Sequence, residues 1–103
     1  MAVMKITAEN FKSAVEESKK PVLVDFWADW CGPCRMVSPV VDAIGEESDG
    51  TYLVGKINVD EEPELAEQFH VMSIPTLIVF RDGKPAATSV GVRGKQEILS
   101  MLQ

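Results

Sequence analysis

Two cysteines separated by two residues, Cys31 and Cys34, are the side chains of this sequence best suited to chemistry. They are its only cysteines, and they stand where a buried strand is predicted to give way to a helix. A helix that begins here brings the two sulfur atoms within bonding distance, because residues three apart share one face. Their disulfide would close a very short loop, so little chain entropy opposes its reopening. The pair therefore suits a bond that forms and breaks repeatedly.

The two cysteines are predicted to have different roles. Cys31 should lie at the helix N-terminus, where free backbone N–H groups and the helix dipole favour a thiolate. An ordinary thiol with a pKa near 8.5 is only about 3% ionised at pH 7, so this stabilisation controls reactivity. Cys34 lies one turn deeper, which makes Cys31 the predicted nucleophile and Cys34 the thiol that resolves a mixed disulfide. Pro33 lacks an N–H group and stiffens the turn between them.

Other uses of a cysteine pair are less favoured by the sequence. A structural bridge over four residues would stabilise the fold little. Zinc usually takes four ligands, and beyond the two cysteines the chain has one histidine, His70, and no second closely spaced ligand pair. We therefore expect no metal. A binding module with incidental cysteines, and an oxidase or isomerase instead of a reductase, stay open as alternatives.

Alternating strand-like and helix-like segments predict an α/β fold that positions the pair. Five segments are predicted as strands: residues 3–6, 22–28, 51–59, 76–81 and 84–90. Four are predicted as helices: one capped by Thr7, one from Cys34 to about Ser48, one beginning at Pro63 and one over 95–102. Early strand–helix–strand units require parallel crossovers, whereas Asp82-Gly83 predicts a hairpin. We expect a single domain over residues 1–103, an open mixed sheet with helices on both faces.

Charge and hydropathy restrict the partners and the compartment. The formal net charge of −6 argues against nucleic acid or an anionic membrane as a partner. The first ten residues contain no apolar stretch of signal-peptide length, and the longest apolar run, residues 74–80, is far shorter than a membrane helix. We therefore expect a cytoplasmic protein, and we also expect a monomer. Cytosolic cysteines are kept reduced, so a pair there requires a chemical explanation.

Asp25 is the third residue with predicted chemistry. It interrupts the otherwise apolar strand 22–28 and shares a face with Leu23 and Trp27. A carboxylate buried in a central strand has a raised pKa and can exchange protons near neutrality. We hypothesise that Asp25, through water, removes the proton from Cys34 when the mixed disulfide is resolved.

The segment Val24–Cys34, with the letters VDFWADWCGPC, resembles the active-site motif of the thioredoxin family. Matching positions continue along nearly the whole chain: Pro39, Lys56, Asp60, Ile74-Pro75-Thr76, Asp82-Gly83 and Gly91. The resemblance implies the thioredoxin fold, a central mixed five-stranded sheet flanked by four helices. It also implies reduction of disulfides in oxidised substrate proteins, with a thioredoxin reductase as electron donor and no bound cofactor.

The resemblance further assigns supporting residues around the sulfurs. It implies that Pro75 is cis and faces the cysteine pair, where its missing N–H keeps a donor away from the sulfur. It also places Lys56 near Asp25, where it would tune the ionisation of the carboxyl. From the residues alone, a solvated strand lysine is the favoured interpretation of Lys56.

A substrate-binding surface is expected beside the pair. Trp30 directly precedes the predicted nucleophile, and an exposed tryptophan there indicates a docking patch. If the family arrangement holds, the backbone of Ile74 pairs with an extended substrate segment. Gly32, Pro33, Ile74 and Gly91 would then form a flat, mostly apolar surface. Gly91 also fits a strand end that requires a small residue.

Overall fold

The strand that carries Asp25 lies at the centre of a mixed five-stranded sheet. The computed structural model describes all 103 residues. Its strands are β1 (Met4–Lys5), β2 (Val22–Trp27), β3 (Leu53–Asn58), β4 (Thr76–Arg81) and β5 (Lys84–Val90). They are ordered β1-β3-β2-β4-β5, with β1, β3 and β2 parallel, and with β4 antiparallel to both β2 and β5. The predicted mixed sheet is confirmed.

Four helical segments accompany the sheet, as predicted. They are a short π-helix (Lys12–Glu16), α1 (Gly32–Glu47), α2 (Pro63–Gln68) and α3 (Lys95–Met101). The predicted cap at Thr7 is wrong, because no side chain caps the π-helix and Thr7 contributes its backbone carbonyl, which accepts from the N–H of Phe11 at 2.9 Å. Asn10 instead accepts the N–H of Thr7 at 2.7 Å. None of the helices combines the length and apolar character that a membrane crossing requires.

Both faces of the sheet are covered, and β2 contributes to both cores. Side chains alternate along a strand, so Val22, Val24 and Phe26 pack on one side, with the π-helix and α2. Leu23 packs on the other side, against α1 and α3. All five residues from Val22 to Phe26 are buried, as expected for a central strand. By the same alternation Asp25 follows Leu23 onto the face that α1 covers.

The hairpin between β4 and β5 has the predicted turn. Asp82 and Gly83 connect the paired residues Arg81 and Lys84, and their φ angles are 53° and 79°. Positive φ at both positions is typical of the two-residue turns that match strand twist. A Cβ atom at Gly83 would lie 2.8 Å from the carbonyl oxygen of Glu16, so this position requires glycine for space as well as for conformation.

Candidate active site

The cysteine pair lies at the N-terminus of α1 and is joined in a disulfide, with Cα atoms 5.3 Å apart. Cys31 is the N-cap residue, and its Sγ accepts the backbone N–H of Cys34 at 3.2 Å. Gly32 and Pro33 occupy the first helical positions, where proline costs no helical hydrogen bond. The helix therefore starts two residues earlier than predicted, and the N–H of Cys34 in its first turn donates to the sulfur of Cys31.

Burial does not distinguish the two cysteines, because each residue is 3% exposed. Their surroundings do distinguish them. The Sγ of Cys31 lies 3.7 Å from the carbonyl oxygen of Ile74. The Ile74-Pro75 peptide bond is cis, as the family resemblance implied. Cys34 instead borders a cavity together with Asp25, and neither Cys31 nor Ile74 lines it.

This cavity has a volume of about 160 Å³, enough for several water molecules. Asp25 is 1% exposed, and its Oδ1 accepts no hydrogen bond from the protein. Burial raises the pKa of Asp25 to about 7; the positive charge of Lys56 opposes this shift and the negative charge of Asp42 adds to it. The strand pattern thus correctly predicted a buried carboxyl group, and its pKa allows proton exchange near neutrality.

Lys56 is the neighbour of Asp25 across the β2–β3 pairing and borders the same cavity. Its ammonium group donates to Oγ of Ser38 at 2.7 Å and forms an ion pair with Oδ1 of Asp42 at 2.8 Å. Sequence reasoning missed both Ser38 and Asp42. The pattern that could have found them is their spacing, since residues 34, 38 and 42 form one stripe on a helix.

The surface beside the disulfide carries exposed apolar side chains. Trp30 is 68% exposed, and its Nε1 donates to Oδ2 of Asp60 at 2.9 Å. Met72 is 92% exposed and borders a shallow groove with Trp30 and Ile74. Sequence reasoning did not assign Met72 or Asp60 to this surface. An exposed apolar patch of this kind fits a transient protein contact.

The remaining predicted positions adjoin the cysteine pair in sequence or are bonded to Pro75. Gly32 and Pro33 are exposed at the start of α1. The N–H of Gly91 donates to the carbonyl oxygen of Pro75 at 2.8 Å, and its φ of 90° favours glycine. His70 is exposed beyond α2 and borders none of the cavities around the disulfide.

Comparison with known proteins decides the family. The sequence model of the family described as "Thioredoxin" matches residues 2–103. This chain belongs to the thioredoxin family. It is 50% identical over 101 residues to a thioredoxin of Mycobacterium tuberculosis (strain H37Rv), covering 98% of this chain and 87% of the relative. It is 49% identical over 102 residues to a thioredoxin of Porphyra purpurea, covering 99% and 95%.

A third relative of the thioredoxin family has a longer chain. The "Bifunctional thioredoxin reductase/thioredoxin" of Mycobacterium leprae is 48% identical over 96 residues, which cover 93% of this chain and 21% of that protein. The family membership and the bonded cysteine pair together identify this thioredoxin-family chain as a dithiol–disulfide oxidoreductase. Its redox-active pair is Cys31 and Cys34.

Proposed function

We propose that the chain is a protein-disulfide reductase. The thiolate of Cys31 attacks one sulfur of a substrate disulfide, which forms a mixed disulfide and releases the other substrate sulfur as a thiolate. The thiolate of Cys34 then attacks Sγ of Cys31 and displaces the second substrate sulfur. Two electrons pass to the substrate, and the Cys31–Cys34 disulfide is left behind. A reductase returns two electrons to the pair and completes the cycle.

The observation that carries this proposal is the contact between Cys31 and the start of α1. Its Sγ accepts the N–H of Cys34 at 3.2 Å, at the N-terminus of a 16-residue helix. In the reduced chain the same donor and the helix dipole would stabilise a thiolate on Cys31. No comparable donor faces the sulfur of Cys34, which supports Cys31 as the nucleophile and Cys34 as the resolving thiol.

We propose that Asp25 is the base that accepts the proton of the Cys34 thiol. The two side chains border one cavity, and a carboxyl group with a pKa of about 7 is half ionised near neutrality. A water molecule in this polar cavity would carry the proton from the thiol to the carboxylate. Asp25 is then left protonated while the thiolate of Cys34 attacks Cys31. Lys56, which borders the same cavity, has a supporting electrostatic role.

The substrate segment would bind in extended form beside Ile74. The carbonyl oxygen of Ile74 lies 3.7 Å from Sγ of Cys31, so a strand paired with this backbone places its own sulfur next to the nucleophile. Trp30, Gly32 and Pro33 would contact the segment from the side of α1. Pro75 and Gly91, which are hydrogen-bonded to each other through their backbones, would contact it from the other side.

The partners proposed for this cycle are oxidised substrate proteins and a thioredoxin reductase. The relative from Mycobacterium leprae, whose name joins the two activities in one protein, supports the second partner. The net charge of −6 supports the exclusion of nucleic acid and anionic membranes. We further propose a cytoplasmic monomer of one domain that binds no cofactor, since electrons arrive by thiol–disulfide exchange.

Reduction of insulin tests the proposed direction of electron transfer. The chemically reduced chain is expected to cleave the interchain disulfides of insulin, and a Cys31→Ser/Cys34→Ser double variant is expected to show only the background rate. Equilibration against glutathione should give a potential below that of the glutathione couple. A strongly oxidising potential would show that the chain works as an oxidase or isomerase.

A second experiment tests the role of Asp25. The Asp25→Ala variant is expected to release substrate from the mixed disulfide at least about 100-fold more slowly, because the base for Cys34 is missing. The first attack by Cys31 should change little, and rapid-mixing kinetics separate the two steps. In the parent chain the resolving rate should rise with pH around 7, and this rise should be absent from the variant. An equal loss in both steps would contradict the assignment.

A further inference from the structure

One stripe of α1 carries two polar side chains to which the proposed cycle gives no role. Cys34, Ser38 and Asp42 are spaced by four residues, so they follow one another along one face of the helix. This face lies over the paired strand residues Asp25 and Lys56, and Ser38 borders their cavity together with Cys34. The resolving thiol, the buried carboxyl group, the lysine and Ser38 therefore border one polar cavity, and Asp42 joins them through its ion pair with Lys56.

The ammonium group of Lys56 is bound to the helix and not to the carboxyl group beside it. It donates to Ser38 at 2.7 Å and pairs with Asp42 at 2.8 Å, whereas no ion pair joins it to Asp25. The side chain of Asp42 is 48% exposed, whereas Asp25 is buried. The pairing with Asp42 thus directs the ammonium group toward solvent.

We propose that Ser38 and Asp42 are positioning residues, which hold the ammonium group of Lys56 on α1 and so leave Asp25 without a direct cationic partner. This inference rests on the role proposed above for Asp25 as the base for Cys34. A lysine has a flexible four-carbon stem, so an ammonium group released from the helix could turn toward the neighbouring carboxylate. In direct contact it would stabilise the carboxylate and make it a poorer proton acceptor.

The other residues around Asp25 do not provide a direct cationic partner for its carboxyl group either. Arg35 and Asp29 border the same cavity, and Nη2 of Arg35 donates to the backbone carbonyl of Asp29 at 2.8 Å. On the side of β4 the residue opposite Asp25 is the uncharged Leu77. The guanidinium group of Arg35 therefore donates to a backbone carbonyl and not to Asp25, and β4 brings no charge to the carboxyl group.

Lys56 also has a cationic neighbour on its far side. Lys5 is opposite Lys56 in the β1–β3 pairing, but its ammonium group lies 3.4 Å from a carboxylate oxygen of Glu61. Lys56 and Asp42 remain as the charges that affect Asp25, and they act in opposite directions: Lys56 lowers the pKa of Asp25 and Asp42 raises it. Loss of Asp42 should therefore lower the pKa in two ways, by removing a negative charge and by releasing Lys56.

The two effects can be separated by NMR titration of the Asp25 carboxyl carbon in the oxidised protein. Four chains are compared: the parent, Asp42→Asn, Lys56→Met and the double variant. With Lys56 present, Asp42→Asn is expected to lower the pKa of Asp25 by about 1 pH unit. With methionine at position 56, the same change should lower it by less than half as much. Equal decreases in the two backgrounds would overturn the proposal, because Asp42 would then act by its own charge alone.

Two further variants on the same helix sharpen the test. Glu47→Gln removes the same charge from a similarly exposed residue that also pairs with a lysine, Lys95, and it should leave the pKa of Asp25 unchanged. Ser38→Ala changes no charge, yet it should lower this pKa, by less than Asp42→Asn does. An unchanged pKa in Ser38→Ala would contradict a positioning role for Ser38.

The titration involves no substrate, so its result is independent of the proposed catalytic cycle. A decrease that depends on Lys56, together with an unchanged resolving rate in Asp25→Ala, would refute Asp25 as the base and leave the positioning of Lys56 intact. The opposite result is a slow resolving step in Asp25→Ala together with equal decreases of the Asp25 pKa whether position 56 is lysine or methionine. It would support Asp25 as the base and refute the positioning role of Ser38 and Asp42.

Discussion

Replacement of Cys34 by serine is expected to convert the chain from a catalyst into a covalent trap for its substrates. Cys31 still lies at the N-terminus of α1 and can still attack a disulfide. No thiol remains to displace the bound substrate, so the mixed disulfide should accumulate to about one adduct per chain. Insulin reduction over many turnovers should fall to the background rate. Non-reducing electrophoresis and mass spectrometry of the intact adduct measure both effects.

Cys31→Ser is the matched control for this trap. It removes the sulfur that accepts the N–H of Cys34, and it leaves Cys34 beside the cavity of Asp25. This variant should also lose insulin reduction, but it should form few adducts. Because the two cysteines are equally buried, the comparison tests their electrostatic surroundings and not their exposure. Equal adduct yields from the two variants would contradict the assignment of Cys31 as the nucleophile.

Asp25→Asn is expected to stabilise the oxidised chain by an amount that grows with pH. The pKa of this carboxyl group is about 7 in the folded chain, against an ordinary value of 3.8. Between these values the unfolded chain releases the proton and the folded chain keeps it, so the folded chain loses relative stability as pH rises. Above pH 7 both states are ionised, and the penalty levels off at about 4 kcal/mol. The neutral asparagine avoids this penalty.

Urea denaturation at several pH values between 4 and 8.5 measures this prediction. The difference in the free energy of unfolding between variant and parent is compared across pH values. Any constant cost of burying the amide cancels in this comparison. Asp49→Asn is the control: hydrogen bonds from Thr51 lower the pKa of that exposed carboxyl group below its ordinary value, so both states are ionised above about pH 5 and the difference for this variant should stay nearly constant there. A difference for Asp25→Asn that is the same at all pH values would contradict the burial penalty.

The sequence predicted those parts of the fold that local patterns determine. The apolar run 22–28 identified the central strand, because a strand covered on both faces must be apolar on both. Asp82-Gly83 identified the hairpin, since both residues tolerate positive φ. Asp25 stood out because a carboxylate in such a strand has no route to solvent. In each case the residue types alone restrict the structure.

Of the parts that were missed, one is local and one depends on a contact between distant segments. Thr7 matches a helix cap by type, but the π-helix has no side-chain cap and Asn10 accepts the N–H of Thr7. Ser38 and Asp42 look like ordinary polar helix residues until β3 places Lys56 beside them. Their spacing from Cys34 places them on one stripe of the helix, but the packing of α1 on the sheet decides that Lys56 is their partner.

The central place of β2 in the sheet separates a rigid part of the active site from an adaptable one. Hydrogen bonds to β3 and β4 hold β2 on both edges, so its amide protons should exchange with solvent only when the whole molecule unfolds. Trp30 and Met72 lie outside the strands on exposed segments, which can open locally at low cost. The chain can therefore adjust its outer surface to differently shaped proteins while the acid–base group beneath keeps one fixed position.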